Sequence, residues 1–197
     1  MKKARKVQIE RKTKETKIRL RLNLDGQGEA KINTTIPFLD HMLELLVKHS
    51  RFDLEIKASG DTQIDYHHLI EDIGLALGGT INKGLGDKQG INRYGSTLLP
   101  MDETLVQVVV DLSGRPFLHY DGPKRGRLGE DLPVALIREF LRALVMEAKI
   151  TLHINVLYGE EIHHKIEAIF KGMGVVLAQA VAINPKIKGV PSTKGVL

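Results

Sequence analysis

Cysteine is absent from all 197 residues. That excludes disulfides, iron–sulfur ligation and thiolate zinc sites, and it fits a reducing compartment, so a cytoplasmic protein is expected. Aromatic residues are scarce at 5%, poor material for stacking nucleic-acid bases. No run of about 18 apolar residues occurs, so neither a transmembrane helix nor a membrane partner is expected. The basic start Met1-Lys2-Lys3-Ala4-Arg5-Lys6 has no apolar stretch behind it and does not read as a secretory signal. A net charge of +5 favours anionic partners. Much of the positive charge is interleaved with acids, so a small anionic substrate is expected and nucleic acid is not. With 42% hydrophobic and 27% charged residues the chain reads as globular, one large domain or two small ones sharing a core.

Four of the eight histidines fall in two similar segments about one hundred residues apart. They are Asp65-Tyr66-His67-His68-Leu69-Ile70-Glu71-Asp72 and Glu161-Ile162-His163-His164-Lys165-Ile166-Glu167-Ala168. On a helix, residues four apart share a face, so His67 can reach one cation with Glu71, and His163 with Glu167. Neighbouring helical residues diverge by about 100°, so each doublet suits two different ions better than one. The simplest arrangement is two equivalent sites, each taking one histidine from each doublet plus one glutamate. Imidazole and carboxylate together fit Mn, Fe, Co, Ni or Zn.

Residues 16–24 alternate as a strand with one buried face, Asp25-Gly26-Gln27-Gly28 reads as a hairpin turn, and residues 30–36 read as the returning strand. Pro37 opens a helix with apolar Met42, Leu43, Leu45, Leu46 and Val47 at helical spacing. Residues 52–58 alternate as a strand before the first histidine helix, which runs to about Lys83 and carries Gly74, Gly78 and Gly79, small enough for close helix packing. The second half repeats the order. Residues 105–113 and 117–120 read as strands, 121–131 as a glycine-rich charged loop, 133–147 as a helix, 150–157 as a strand and 162–182 as the second histidine helix. The tail from Asn184 reads as loop. The expected fold is therefore α+β, an α/β sandwich of two duplicated β-β-α-β-α halves, residues 1–90 and 91–197, integrated into one domain. The helices are packed between two mixed sheets.

Taken in order, several segments identify a family. They are Arg11-Lys12-Thr13-Lys14-Glu15-Thr16, Phe38-Leu39-Asp40-His41-Met42-Leu43, both HHxxE segments, Asn92-Arg93-Tyr94-Gly95, Pro100-Met101-Asp102-Glu103, Asp111-Leu112-Ser113-Gly114-Arg115-Pro116, Thr151-Leu152-His153, Phe170-Lys171 and Pro191-Ser192-Thr193-Lys194-Gly195. Over essentially its whole length the chain resembles the imidazoleglycerol-phosphate dehydratases of histidine biosynthesis.

The resemblance implies a hydro-lyase that converts D-erythro-imidazole glycerol phosphate to imidazole acetol phosphate. It implies two Mn²⁺ per active site holding the imidazole as imidazolate, and a homo-oligomer of 24 subunits with active sites where subunits meet. Carried over residue by residue, the metal ligands are His41, His67, His68, Glu71, His163, His164 and Glu167. The eighth ligand of the family is a histidine where this chain has Glu139, a carboxylate that can also bind Mn²⁺. Glu15 is the implied acid–base. Arg93, Arg115, Lys171, Ser192, Thr193 and Lys194 are the implied phosphate-binding groups, and His49 an implied substrate contact. His153 is implied as an outer partner of the site, whereas His119 reads as structural or exposed. Leu45 stands where the family often has a substrate-contacting glutamine.

Overall fold

A computed structural model describes residues 5–129 and 132–197; Glu130 and Asp131, the end of the charged loop, lie outside the described residues. The first half runs β1 (Lys6–Lys12), β2 (Thr16–Asn23), β3 (Ala30–Asn33), α1 (Pro37–Ser50), β4 (Asp53–Gly60) and α2 (His67–Leu85). The second runs β5 (Tyr94–Met101), β6 (Thr104–Asp111), β7 (Phe117–Asp121), the short pair β8 (Arg127–Leu128) and β9 (Leu132–Pro133), α3 (Ala135–Ala148), β10 (Thr151–Tyr158) and α4 (Ile162–Val181). The sheets have the same order, β1-β2-β4-β3 and β5-β6-β10-β7. The duplication is thus a duplication of topology.

Each four-stranded sheet carries one strand more than the sequence suggests, and the second half adds the short β8–β9 pair. In β1, residues 6, 8, 10 and 12 are Lys, Gln, Glu and Lys, exposed on the outer face, and this charge masks the alternation of Val7 and Ile9. In β5, Gly95 and Pro100 are turn-like residues that a strand tolerates at a sheet edge.

The expected hairpin does not form: β2 pairs antiparallel with β1 and β4, while β3 pairs parallel with β4. The reason lies in Asp53. Its carboxylate accepts from the Gln27 and Glu29 backbone N–H groups and from Asn23. Gly26 packs so closely on Asp53 that a Cβ would lie 2.4 Å from its backbone nitrogen. The loop is therefore drawn across the start of β4, and β3 lands on its far side. From there α1 makes a crossover back into a parallel neighbour. β7, α3 and β10 repeat that unit.

α1 begins with Pro37 in its first turn, where a missing N–H costs nothing, and ends at Arg51 in the left-handed conformation (φ 62°). α3 ends the same way at Lys149 (φ 53°). The two helix pairs pack across the molecular centre, α2 on α3 and α1 on α4. Glycine makes both crossings close. A Cβ on Gly78 would lie 2.3 Å from the Leu144 carbonyl oxygen, and one on the equivalent Gly174 2.7 Å from that of Leu46. Gly74 does the same against Phe140, whereas Gly79 faces only the end of Glu147. Phe140 of α3 and Phe170 of α4 stack on each other in the core, and Ile18, Leu20, Ile56, Val106, Val108 and Ile154 join it from the sheets. The consequence for function is positional: α2 and α4 present their histidine doublets at their N-terminal ends.

Candidate active site

His41 of α1 meets His163 and Glu167 of α4. One ligand atom from each lies within 4.8 Å of the others, a spacing at which a single ion can touch all three. Glu167 is the buried member at 8% exposure, and its Oε2 lies 3.6 Å from His163 Nε2. Phe38 presses edge-on against the His163 ring. Burial alone would raise the Glu167 carboxyl. The hydrogen bond and charge of Lys171, with His41 and His163 adding, outweigh it and hold the group ionised. Lys171 donates to Glu167 Oε1 at 2.9 Å and to the Met101 sulfur. His49, two turns along α1, has its pKa lowered by burial and by the Lys171 charge. Leu45 between them packs against the core.

The pseudo-equivalent place on α2 and α3 holds His67, Glu71 and Glu139. His67 Nε2 lies 3.9 Å from Glu71 Oε2. Arg142 spans the two carboxylates, with Nε donating to Glu139 at 2.9 Å and Nη2 to Glu71 at 3.2 Å.

The doublets divide as helical geometry requires, their rings at 88° to each other in both cases. His68 turns its Nδ1 to Asp61 at 3.0 Å, with Glu15 at 4.0 Å. His164 turns its Nδ1 to Glu103 at 2.7 Å. Each imidazole has its pKa raised, first by that hydrogen bond. Glu103 also accepts from the backbone N–H groups of Glu161 and Glu160, which holds its own pKa far below the usual carboxylate range and fastens the start of α4. Within one chain, no cluster among the described residues takes histidines from both doublets.

Glu15 lies in the turn between β1 and β2. The turn is held by Thr13, whose hydroxyl accepts from the Glu15 and Thr16 backbone N–H groups. Thr16 in turn bonds buried Asp72, which also takes Arg11 at 2.7 Å. Asp61, Asp72, Glu103 and Arg142 were not singled out in the sequence. A signal existed for one of them: Glu103-Thr104 repeats Glu15-Thr16 at the same turn of the second sheet.

Arg93, Arg115, Ser192, Thr193 and Lys194 line one cavity of about 230 Å³ together with Val196 and Leu197. Arg93 is tied by two bonds to Asp111 and donates to the Pro191 carbonyl, which anchors the tail. Arg115 and Lys194 remain the exposed cations. Lys171 is not part of this cavity. His153 lies apart from the clusters, on the outer face of the second sheet, stacked on exposed His119. The cavity is remote from both histidine clusters of its own chain. The Arg93 backbone N–H bonds Ala180 near the end of α4, thirteen residues past Glu167, or about 20 Å along the axis. Lys88, whose Nζ lies behind Gly114, follows the end of α2, at a similar remove from Glu71.

Two equivalent halves with histidine–carboxylate clusters at one end and a cation-lined cavity at the other define a duplicated α/β-sandwich enzyme. The family model for imidazoleglycerol-phosphate dehydratase matches residues 34–177. The chain is 54% identical over 191 residues to the enzyme of that name from Pelobacter propionicus, covering 96% of this chain and 97% of the relative. It is 51% identical to that from Geobacillus kaustophilus, covering 98% and 100%. The crystal structure of the Staphylococcus aureus enzyme superposes with a TM-score of 0.82 at 38% identity, covering 91% of this chain and 99% of that one. That of the Pyrococcus furiosus enzyme in complex with (S)-C348 also gives 0.82, at 36% identity, covering 96% and 100%. The chain belongs to the imidazoleglycerol-phosphate dehydratase family and is a hydro-lyase of histidine biosynthesis.

Proposed function

We propose that the chain dehydrates D-erythro-imidazole glycerol phosphate to imidazole acetol phosphate in active sites shared between subunits, with two Mn²⁺ per site and Glu15 as acid–base. The observation that carries the shared site is the distance above: a three-carbon phosphate arm cannot join a cation pocket and a histidine cluster of the same chain. A neighbouring chain supplies the missing side, and a closed homo-oligomer, 24 subunits in the family-wide reading, gives every chain such a neighbour.

The donors suit a divalent cation. His41, His163 and Glu167 converge without one, and His68 and His164 each have Nδ1 engaged by a carboxylate, which fixes the ring and leaves the other nitrogen, beside exposed Asp102 in the case of His164, to meet an ion or a partner cluster. When bound, Mn²⁺ supplies Lewis acidity and a fixed orientation for the substrate ring.

The chain's own residues do the rest. Arg115 and Lys194 bind the phosphate, with Ser192 and Thr193 as neutral donors and the Arg93–Asp111 pair holding the tail in place. His49 faces the substrate from α1. Glu15 takes the proton from the carbon next to the one that loses its hydroxyl, and passes a proton to the departing oxygen, so that water leaves and no net charge is made. Glu15 stands in an exposed turn that Thr13, Thr16 and Asp72 keep rigid. The substrate is a small phosphorylated imidazole, not nucleic acid or membrane. Among the described residues no helix is long and apolar enough to cross a bilayer. The cysteine-free composition supports a cytoplasmic assignment.

The test is product formation from imidazole glycerol phosphate. Turnover is expected to vanish after chelation and to return with Mn²⁺. Turnover that survives complete removal of metal would refute the metal role.

A further inference from the structure

The two histidine–carboxylate half-sites differ in their charged groups. On α3, Arg142 reaches both Glu139 and Glu71; at the corresponding position of α1 stands Glu44, exposed and of opposite sign. In the α1–α4 cluster the local cation is Lys171, which bonds one ligand of the trio, Glu167. The third donor there is the imidazole of His41, so the three ligand atoms converge. In the α2–α3 cluster the third donor is a carboxylate, Glu139, and Arg142 grips it together with Glu71. His67, Glu71 and Glu139 do not converge within the distance that the other trio meets. A guanidinium fork between two carboxylates fills the position of a cation, and its two charge-assisted bonds must be given up before an ion can take both oxygens.

We infer that Arg142 is a resident cation of the His67–Glu71–Glu139 half-site that competes with metal for its two carboxylates. This half-site therefore fills after the His41–His163–Glu167 cluster. The inference rests on the two-metal reading above. It assigns Arg142 a positioning role, setting metal order and affinity without touching substrate.

Titration of metal-stripped protein with Mn²⁺, followed by the electron paramagnetic resonance signal of the free ion, reads this directly. Wild-type protein is expected to bind two ions per chain in two distinguishable classes. Arg142→Gln keeps most of the side-chain stem and removes the charge. It should tighten the weaker class by about tenfold, the order expected when one positive charge is taken from beside a divalent ion at a solvated site. The tighter class should not move. Arg142→Lys, which keeps the charge but loses the two-armed grip, should fall between. His41→Ala should remove the tighter class and leave the weaker one sensitive to residue 142. Two indistinguishable ions in wild-type protein, or a weaker class that is unchanged or loosened by Arg142→Gln, would overturn the inference and leave the two-metal reading intact. No bound Mn²⁺ in wild-type protein would overturn both. Arg142 is half-exposed at 53%, and circular dichroism of the variants confirms that the readout concerns metal and not folding.

Discussion

Glu15→Gln is expected to lower kcat by about 10²- to 10⁴-fold, the range over which a positioned acid–base contributes. Bound Mn²⁺ and KM should stay close to wild type. The physical case rests on what the side chain does not do. The Glu15 carboxylate is half-exposed, and the His68 Nδ1 lies 4.0 Å away, beyond hydrogen-bonding distance. The turn that carries it is held instead by the backbone and by Thr13, Thr16 and Asp72. Glutamine preserves shape and turn and cannot exchange the proton. Single-turnover product formation, with metal counted by elemental analysis on the same sample, checks both halves. A kcat within twofold of wild type would remove Glu15 from the reaction. A matching loss of metal would convert its role to ligation beside Asp61 and His68.

His163→Ala is expected to abolish binding of one of the two metal ions and to lower activity at least about a hundredfold, since the loss even of an outer partner of a metal ligand costs 10- to 100-fold. His163 brings the α4 side of the cluster into line. It stands one turn before Glu167, on its face, with Phe38 fixing the ring from the side. Its removal leaves buried Glu167 with Lys171 bonded to one oxygen and His41 as the one remaining imidazole of the trio, too few donors to hold the ion. His119→Ala is the control. That ring lies on the outer sheet face, stacked on His153 and bonded to Asn155, and its loss should leave metal content unchanged. Equal metal loss in both variants would show that the assignment by helix face is wrong.

Much of this site could be read from spacing. The i, i+4 pairs His67–Glu71 and His163–Glu167 follow from the period of a helix alone, and so does the divergence of each doublet. The tail and the two arginines, implied by the resemblance as phosphate-binding groups, line one cavity that Lys171 does not join. What stayed hidden depends on three-dimensional pairing. Asp61 reads as a turn residue until β4 delivers it beneath His68. Glu103 belongs to a family segment in the sequence but gains a role only when β5 and β6 place it at the start of α4. Arg142 becomes notable only when α3 crosses α2 and brings it to Glu71. The fold shows the same division. Alternation gave the strands with apolar inner faces, but β1 was masked by charge and β5 by glycine and proline. The parallel placement of β3 turned on a single carboxylate, Asp53, reaching back to hold a loop.

In the proposed enzyme each active site joins the histidine cluster of one chain to the cation cavity of another. Reassembly of two inactive variants tests it most directly. His163→Ala lacks the cluster, and Arg115→Ala combined with Lys194→Ala lacks the cavity cations. Each should be nearly inactive by itself. Unfolded, mixed in equal amounts and refolded together with Mn²⁺, they are expected to regain activity, up to roughly a quarter of wild type if two chains build each site and mix at random. A mixed oligomer, verified by mass, that remains as inactive as its parents would contradict the shared site and return both parts of the chemistry to a single chain.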